Sequence, residues 1–328
     1  MNTYSRKTVL ITGATGLIGN NLVDTFMHMG DVRVIALSRN YNKLMEEFGE
    51  YLENPMFKII AQDISVPLVI EEPIDYIFHA AGSMEGKVIK NCPVDVIKPN
   101  ILGTINCLEF LKKQKEDNGL SGRMILFSSV TVYANNKSED LTVTEEDTGV
   151  TENLDSVSAP YSQSKRMIEV ITTAYARQYG IDAVIGRFST VYGPTRIVPD
   201  TAFFEFIKKG IIGEDITMNA SGLPRRDNIF IDDAIKGLLI VAEKGLTGEA
   251  YNISSNGEME NYAAVDEIAK EVARVSDKDI KVLFKTYSTG TRKAGMKLDN
   301  AKLKKLGWKT ETSLEQGIKK TLISLRNH

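Results

Sequence analysis

The feature that most limits how this chain can fold is a glycine-rich turn close to its N-terminus. The apolar run Thr8–Thr12 has the length of a buried strand, and glycines follow it at positions 13, 16 and 19. A stretch with helical spacing, Leu17–His28, begins inside the turn. The order of strand, G-x-x-G-x-x-G turn and helix predicts that backbone amide groups at the helix start face a phosphate-bearing ligand.

The rest of the first half also alternates short apolar runs with amphipathic stretches. The runs predicted to be strands are Val32–Leu37, Phe57–Ala61, Tyr76–His79, Arg123–Ser128 and Ala183–Phe188. The stretches predicted to be helices are Asn42–Leu52, Val94–Lys115 and Ser162–Gln178, and Pro99 is expected to kink the second of these or mark its start. Strands that are apolar throughout are expected where helices cover both faces of a parallel sheet. The pattern predicts the α/β class, with a Rossmann-type, doubly wound parallel sheet.

The pattern changes after Gly193-Pro194. The predicted elements there are a helix at Thr201–Lys209, a glycine-rich turn at 221–224, a strand at Ala250–Ile253, and two helices within 303–325 that separate at Gly307-Trp308. We predict that residues 1–190 form a dinucleotide-binding domain to which residues 229–257 contribute. Residues 191–328 are predicted to form a smaller, mostly discontinuous C-terminal cap that binds the substrate.

Composition excludes several classes of protein. The 328 residues include 40 Lys and Arg against 43 Asp and Glu, a formal net charge of −3, so the chain lacks the positive charge of a protein that coats nucleic acid or anionic membranes. Two cysteines are too few for a disulfide framework or a four-cysteine zinc site, and with only three scattered histidines no metal site is predicted. The sequence shows neither a signal peptide nor a membrane-spanning stretch, and the expected location is cytoplasmic.

The glycine-rich turn predicts a dinucleotide ligand, because glycine lets the backbone approach a pyrophosphate closely. The turn and helix start contribute Gly13, Thr15, Gly16, Leu17, Ile18 and Gly19 to the predicted cofactor site. The ends of neighbouring strands contribute Ser38, Arg39, Asp63, Ile64, Ala80 and Ala81. Asp63 is expected either to meet the adenine amino group or to cap a helix.

The end of the second strand bears on which dinucleotide binds. A carboxylate there hydrogen-bonds the ribose 2′-hydroxyl of NAD and repels the 2′-phosphate of NADP. This chain has Ser38-Arg39-Asn40 instead, and the Arg39 guanidinium is suited to clamp a 2′-phosphate. The predicted cofactor is NAD(P), with NADP favoured by Arg39; an ordinary solvated arginine is the alternative.

Three polar residues form the candidate catalytic group. Tyr161 and Lys165 are one helical turn apart, so they share a helix face. Ser129 directly follows the predicted strand Arg123–Ser128. Because the carboxyl ends of parallel strands line the ligand crevice, we expect Ser129 to lie near the pair.

An ordered set of motifs resembles one family of enzymes. Besides the glycine-rich turn and the three polar residues, the chain contains His79-Ala80-Ala81-Gly82, Asn100 with Gly103-Thr104, Arg187 with Tyr192-Gly193-Pro194, Arg226-Asp227 ahead of Asp232-Asp233, and Leu306-Gly307-Trp308. Over nearly its whole length the chain is similar to the extended short-chain dehydrogenase/reductases, specifically the NAD-dependent epimerase/dehydratase family that acts on nucleotide sugars. The resemblance also implies a homodimer formed through Val94–Lys115 and Ser162–Gln178.

The resemblance implies a role for each polar residue. Tyr161 is the general base or acid, with its pKa lowered by Lys165 and by a positively charged nicotinamide. Lys165 also holds the nicotinamide ribose, and Ser129 hydrogen-bonds the reacting oxygen. The substrate site would include Ser129 and Tyr161 together with Ser83, Thr190, Arg226 and Arg292. The resemblance places both arginines on a nucleoside diphosphate, whose phosphates match guanidinium geometry.

Two positions depart from part of this family. Its dehydratases carry an Asp-Glu pair, and related decarboxylases usually keep the Glu, where this chain has Val130 and Thr131. The missing carboxylates argue against dehydration and decarboxylation. The hypothesis is hydride transfer on a nucleotide-bound sugar, with 4-epimerisation favoured and NADPH-dependent reduction of a nucleotide 4-keto-sugar as the alternative. A dinucleotide-binding regulator without catalysis is a rival from another class.

Overall fold

The computed structural model describes residues 3–82, 86–133, 140–149, 152–218, 225–285 and 295–326. In chain order its strands are β1 (Thr8–Thr12), β2 (Arg33–Ser38), β3 (Phe57–Ala61), β4 (Tyr76–His79), β5 (Arg123–Ser129), β6 (Leu141–Val143), β7 (Asp182–Phe188), β8 (Thr190–Tyr192), β9 (Ile216–Met218), β10 (Arg225–Phe230), β11 (Ala250–Ile253), β12 (Tyr262–Ala264), β13 (Val282–Phe284) and β14 (Met296–Leu298). Its helices are α1 (Leu17–Met29), α2 (Tyr41–Glu47), α3 (Gly86–Asn91), α4 (Val94–Asn118), α5 (Ala159–Tyr179), α6 (Ala202–Ile212), α7 (Ile231–Lys244), α8 (Val265–Val275), α9 (Ala301–Lys305) and α10 (Leu314–Arg326).

One seven-stranded sheet dominates the first half, with the strand order β11-β7-β5-β4-β1-β2-β3. β1 is parallel to both of its neighbours, so that Thr12 lies opposite Leu37 of β2 and His79 of β4. From β1 the chain adds β2 and β3 toward one edge of the sheet, and it then crosses back to place β4 on the other side of β1. The strand order therefore reverses between β1 and β4, which is where doubly wound sheets bind ligands. The predicted α/β class and Rossmann-type sheet are confirmed.

The structure corrects two predictions about helices of the first half beyond the exact positions of their ends. Asn42–Leu52 is divided into α2, which ends at Glu47, and a 3-10 turn at Gly49–Tyr51. The expectation that Pro99 marks a helix start is wrong, because α4 begins at Val94 and continues through the proline to Asn118. Pro99 lies in the second turn, where its missing N–H removes one backbone hydrogen bond near the helix end.

The chain divides into two compact units. The first comprises residues 1–134, 151–187 and 239–251. Its core includes side chains from the sheet and from the helices that cover it, among them Leu10, Ile77, Leu108, Leu126 and Ile168. The strands are apolar on both faces because both faces of the sheet are covered.

The second unit comprises residues 135–150, 188–238 and 252–328. Small sheets form in it from β12-β10-β8, β13-β9 and β14-β6. The two predicted C-terminal helices are α9 and α10, and Trp308 between them is buried and donates a 3.0 Å hydrogen bond from Nε1 to the carbonyl oxygen of Asp233. The predicted turn at 221–224 lies outside the described residues.

Within the ranges that the structure describes, no helix is both long enough and apolar enough to pass through a bilayer.

Candidate active site

The glycine-rich turn fits closely against the end of β4. Gly13 has a φ of +67°, and a Cβ at this position would lie 2.8 Å from the amide nitrogen of Ala81. A Cβ at Gly19 would overlap the carbonyl oxygen of Gly13. Only glycine fits at both positions, so the turn presents bare backbone at the ligand edge of the sheet.

The first turn of α1 offers backbone amide groups that the helix does not use. Its first backbone hydrogen bond runs from the Asn20 amide to the Gly16 carbonyl oxygen at 2.9 Å, so the amides of Leu17, Ile18 and Gly19 come before it. This turn contains no acidic side chain. The free amides and the positive end of the helix dipole suit a pyrophosphate, and the predicted residues here fit a bound dinucleotide.

The end of β2 carries hydroxyl groups and one free cation. Thr15 Oγ1 lies 3.2 Å from Ser38 Oγ. Arg39 is exposed and forms neither an ion pair nor a side-chain hydrogen bond within the described part of the chain. Asn40 is occupied as the cap of α2, where its side chain accepts a 3.1 Å hydrogen bond from the Lys43 amide. These groups can receive a ribose hydroxyl or a 2′-phosphate.

The end of β3 corrects one alternative from the sequence. Asp63 Oδ1 accepts a 2.8 Å hydrogen bond from the Ser65 amide, and Val66 N–H bonds the Asp63 carbonyl oxygen at 3.2 Å. The chain turns here instead of beginning a helix, so Asp63 does not cap a helix. The Ile64 side chain is in the core, and its carbonyl oxygen accepts a 2.8 Å hydrogen bond from Asn106.

Thr12 fixes the predicted cofactor residues at the end of β4. Its carbonyl oxygen accepts from the Ala80 amide at 3.2 Å, and its hydroxyl accepts from the Ala81 amide at 3.3 Å. The same hydroxyl lies 2.8 Å from Nδ1 of the buried His79. These bonds hold Ala80 and Ala81 beside Gly13.

The structure brings Ser129, Tyr161 and Lys165 together in the first unit. Tyr161 is in the first turn of α5, which begins at Ala159. Pro160 fits there because the first residues of a helix need no backbone N–H partner. Ser129 ends β5, and its side chain lies close enough to the Tyr161 phenol to lower the pKa of that phenol. The Lys165 ammonium group lies 5.8 Å from the centre of the Tyr161 ring and donates a 2.8 Å hydrogen bond to the Phe127 carbonyl oxygen.

Burial controls the proton affinities of this group. It raises the pKa of Tyr161 to about 12, against a smaller lowering by the Ser129 hydrogen bond. It lowers the pKa of Lys165 to about 8, against a smaller increase due to Glu169 one turn along α5. Without a cofactor, desolvation of the phenol therefore outweighs any lowering of its pKa by the chain's own groups, and the expectation that Lys165 and the nicotinamide together lower it stays a prediction. The positive charge of a bound, oxidised nicotinamide acts in the required direction.

Asn100 supports the helix turn that carries Tyr161. Its Nδ2 donates to Ser164 Oγ at 2.8 Å, and Ser164 Oγ donates to the Tyr161 carbonyl oxygen at 2.9 Å. Asn100 Oδ1 is buried, has no hydrogen-bond partner among the described residues, and lies where a Cβ at Gly82 would be. The sequence alone assigns Asn100 no role beyond its motif, because its link to Tyr161 depends on how α4 packs against α5.

The predicted substrate residues outside the first unit are only partly described. Thr190 in β8 is partly buried, and its register partner is Asn228 of β10. Arg226 is exposed and lies within β10 rather than ahead of it, opposite Ala263 of β12. Its side chain forms no ion pair with the described residues. Ser83 and Arg292 lie outside the described residues.

Comparison with known proteins places the chain among related enzymes. It is 29% identical over 318 residues to UDP-glucuronic acid decarboxylase 6 of Arabidopsis thaliana, covering 96% of this chain and 87% of the relative. The UDP-glucose 4-epimerase of Thermotoga maritima, solved with UDP-glucose, has a similar fold, with a TM-score of 0.80, 23% identity, and coverage of 98% of this chain and 99% of that one. The dTDP-glucose 4,6-dehydratase of Bacillus anthracis, solved with NAD, has a TM-score of 0.80 at 21% identity, covering 98% and 97%.

The Rossmann-type sheet, the glycine-rich turn and the joined Ser, Tyr and Lys side chains define a short-chain dehydrogenase/reductase. The model of the NAD dependent epimerase/dehydratase family matches residues 9–254. The chain belongs to this family, and it is an NAD(P)-dependent enzyme.

Proposed function

We propose that this enzyme changes the configuration at C4 of a nucleotide-activated sugar by removing and returning a hydride. The observation that carries the proposal is the placement of Ser129 at the end of β5 and of Tyr161 and Lys165 one turn apart on α5, with the Lys165 ammonium group bonded to β5, at an edge of the sheet that also carries the glycine-rich turn. These side chains can move one proton at a sugar hydroxyl.

Each residue has a defined task in such a reaction. The nicotinamide, when bound, supplies the chemistry of accepting and returning the hydride. The Tyr161 oxygen takes the proton from the C4 hydroxyl as that carbon becomes a ketone, and it returns the proton when the hydroxyl is restored. Ser129 donates a hydrogen bond that orients the reacting oxygen. Lys165, fixed by Phe127, holds the ribose hydroxyls and contributes positive charge near the phenolate.

The segment after Ser129 supports epimerisation over the reactions of the dehydratases and decarboxylases. Val130 and Thr131 lie in a 3-10 turn that ends at Tyr133. The Thr131 amide donates to Ser129 Oγ at 3.3 Å, and its own hydroxyl is buried without a hydrogen-bond partner among the described residues. A threonine hydroxyl can bind a sugar oxygen, but it cannot exchange a proton at neutral pH as a carboxylate does.

A nucleotide sugar is the proposed substrate class. The relative and the structural neighbour named above are a UDP-glucuronic acid decarboxylase and a UDP-glucose 4-epimerase. In the second unit Arg226 is exposed and its guanidinium is not used in an ion pair with the described residues, so it is free to bind a diphosphate. Thr190 is proposed as a further substrate contact.

Net reduction of a nucleotide 4-keto-sugar is the second candidate, and Arg39 favours it. A free guanidinium at the end of β2 suits NADP, whereas a recycled cofactor gives no reason to prefer the 2′-phosphate. The two candidates share Tyr161, Ser129 and Lys165, so the cofactor distinguishes them.

We also propose a homodimer formed through α4 and α5. These helices pack against each other and leave apolar side chains exposed: Ile97 and Leu102 on α4 and Met167 and Val170 on α5. Light scattering of the purified protein should give twice the mass of the chain, and a monomer at micromolar concentration would contradict this proposal.

The main experiment begins by denaturing the purified protein and identifying any dinucleotide that is released. UDP-, dTDP-, CDP- and GDP-sugars are then screened for an increase in melting temperature. Sugars that stabilise the protein are incubated with it, and the products are identified by NMR. Retained NAD with conversion to the C4 epimer supports epimerisation, whereas dependence on added NADPH and a 4-keto-sugar supports reduction.

Matched tyrosine variants test whether the chemistry occurs at Tyr161. Tyr161→Phe should abolish turnover while nucleotide-sugar binding is kept. Tyr179→Phe, which changes a half-exposed tyrosine on the same helix, should retain wild-type turnover. Unchanged turnover in Tyr161→Phe, or release of CO2 from UDP-glucuronic acid by the wild type, would refute the proposed function.

A further inference from the structure

A cluster of polar side chains lies next to the catalytic residues, and the proposed reaction does not use it. The Glu169 carboxylate accepts hydrogen bonds from Arg187, at 2.7 Å between Nη2 and Oε2 and 3.0 Å between Nε and Oε1. Ser128 Oγ donates to the same carboxylate, and Arg187 Nη1 donates to the Tyr133 hydroxyl at 2.8 Å. The charged side chains are largely buried, with 13% of Arg187 and 12% of Glu169 exposed.

Three of the four side chains in this cluster belong to elements that also carry residues of the active site. Glu169 follows Lys165 by one turn of α5, and Ser128 directly precedes Ser129. Tyr133 ends the turn that contains Thr131, and Arg187 belongs to β7. A buried ion pair is a weak source of stability, because desolvation of both charges offsets their attraction. Its position beside three catalytic elements therefore suggests a role in the site.

We propose that Glu169 is a positioning residue for Lys165: its carboxylate, balanced by Arg187 and oriented by Ser128, holds the lysine in its charged form under the end of β5. This inference rests on the proposed function only in taking Lys165 as part of the catalytic group. It requires that the net charge of the Glu169–Arg187 pair changes the pKa of Lys165.

The surroundings of Lys165 make the direction of this effect predictable. Among the described residues, the titratable and charged groups that act on it are Tyr161 and Glu169 on its own helix and His79 on β4, with Arg187 paired to Glu169. His79 stays neutral, because burial and the nearby lysine lower its pKa to about 3. Glu169 is the group that raises the Lys165 pKa against burial. Removing the Glu169 charge leaves the positive charge of Arg187 without a partner, which lowers the Lys165 pKa. Removing the Arg187 charge leaves the negative charge of Glu169 without a partner, which raises the Lys165 pKa.

The test measures the Lys165 pKa directly. Protein labelled with 13C at the lysine ε-carbon is titrated by NMR without substrate, and the Lys165 signal is the one that disappears in Lys165→Met. The wild-type midpoint should be about 8. Glu169→Gln should lower it by at least about half a pH unit, and Arg187→Gln should raise it by a similar amount. Glu169→Asp and Arg187→Lys keep their charges and should stay closer to the wild type.

Asp182→Asn is the matched control. Asp182 at the start of β7 pairs with Arg123 at the start of β5, with 3.6 Å between Oδ1 and Nε. The Arg187–Glu169–Ser128 cluster also links β7 and β5, but near the other end of the two strands. The variant should lower thermal stability and leave the Lys165 titration unchanged.

Shifts of the Lys165 pKa in the same direction in Glu169→Gln and Arg187→Gln, or no shift in either, would overturn the inference. Loosened packing alone would change the pKa in the same direction in both variants. If Glu169→Gln does not fold, the comparison of Arg187→Gln with Arg187→Lys decides the question. Because the titration needs no sugar and no turnover, failure to find epimerase activity would refute the proposed function and leave this inference intact.

Discussion

The ammonium group of Lys165 lies 2.8 Å from the carbonyl oxygen of Phe127, so one buried hydrogen bond joins α5 to the strand that ends at Ser129. The lysine thus connects the two elements that carry Ser129 and Tyr161. Lys165→Met should reduce turnover by about 10²–10⁴-fold, the range typical of lost acid–base assistance, in steady-state assays. Wild-type turnover in this variant would exclude Lys165 from the catalytic group.

Lys165 should also leave a signature in the pH dependence of stability. Its pKa is about 8 in the fold against 10.5 for an ordinary lysine side chain, so between these values the unfolded chain binds more protons than the folded one. The free energy of unfolding therefore rises with pH in this window, by up to about 3 kcal/mol from this group. In urea titrations from pH 8 to 10.5 the wild type should gain stability relative to Lys165→Met. Parallel curves would contradict the buried, charged lysine.

Substitution of Gly13 should affect the cofactor site far more than substitution of another left-handed glycine. Gly13→Ala places a Cβ 2.8 Å from the Ala81 amide nitrogen and should weaken dinucleotide binding at least tenfold in calorimetry. Gly30→Ala is the control, because Gly30 has a φ of +81° and no atom within 4 Å of an added Cβ. It should lower stability by about 1 kcal/mol and leave dinucleotide affinity unchanged. Equal losses of affinity would indicate a general effect of backbone strain.

The charge at position 39 should decide between the two dinucleotides. Arg39→Asp removes the guanidinium and adds a carboxylate that repels a 2′-phosphate, so the ratio of NADP to NAD affinity should fall at least tenfold. Arg177→Asp, at an exposed site on α5, makes the same charge change away from the glycine-rich turn and should leave the ratio unchanged. If both variants keep the wild-type ratio, Arg39 is an ordinary solvated arginine.

Adjacent aspartates in α7 should differ in their importance for the second unit. The buried Asp233 accepts hydrogen bonds at Oδ2 from the amides of Glu311 (3.1 Å) and Thr312 (2.9 Å). Asp233→Ala leaves these donors unsatisfied and should lower the free energy of unfolding by about 2–4 kcal/mol. Asp232 is half-exposed and pairs with Lys320 at 3.8 Å, so Asp232→Ala should change stability by less than about 1 kcal/mol. Chemical denaturation of both variants provides the comparison, and a larger loss in Asp232→Ala would be inconsistent with this account.

Local sequence signals were enough to predict most of the sheet. The predicted strands of the first half lie within one residue of the observed ones at each end, because unbroken apolar runs between turns have few alternatives in a parallel sheet. The glycine-rich turn was recognisable because it combines residue type and spacing in seven consecutive positions. The predicted helix boundaries agree less well with the structure, as Asn42–Leu52 and Pro99 show, because helix ends depend on caps and packing.

Local residue patterns are enough to predict the order of strands and helices, the phosphate-binding turn, and the spacing that puts Tyr161 and Lys165 on one helix face. All of these depend on residues close together in the chain. Tertiary structure alone decided that Asn100 supports the turn of Tyr161, that Glu169 is shared between Ser128 and Arg187, and that burial raises the pKa of the Tyr161 phenol. These properties arise from desolvation and from contacts between residues far apart in sequence, which exist only once the helices have packed on the sheet.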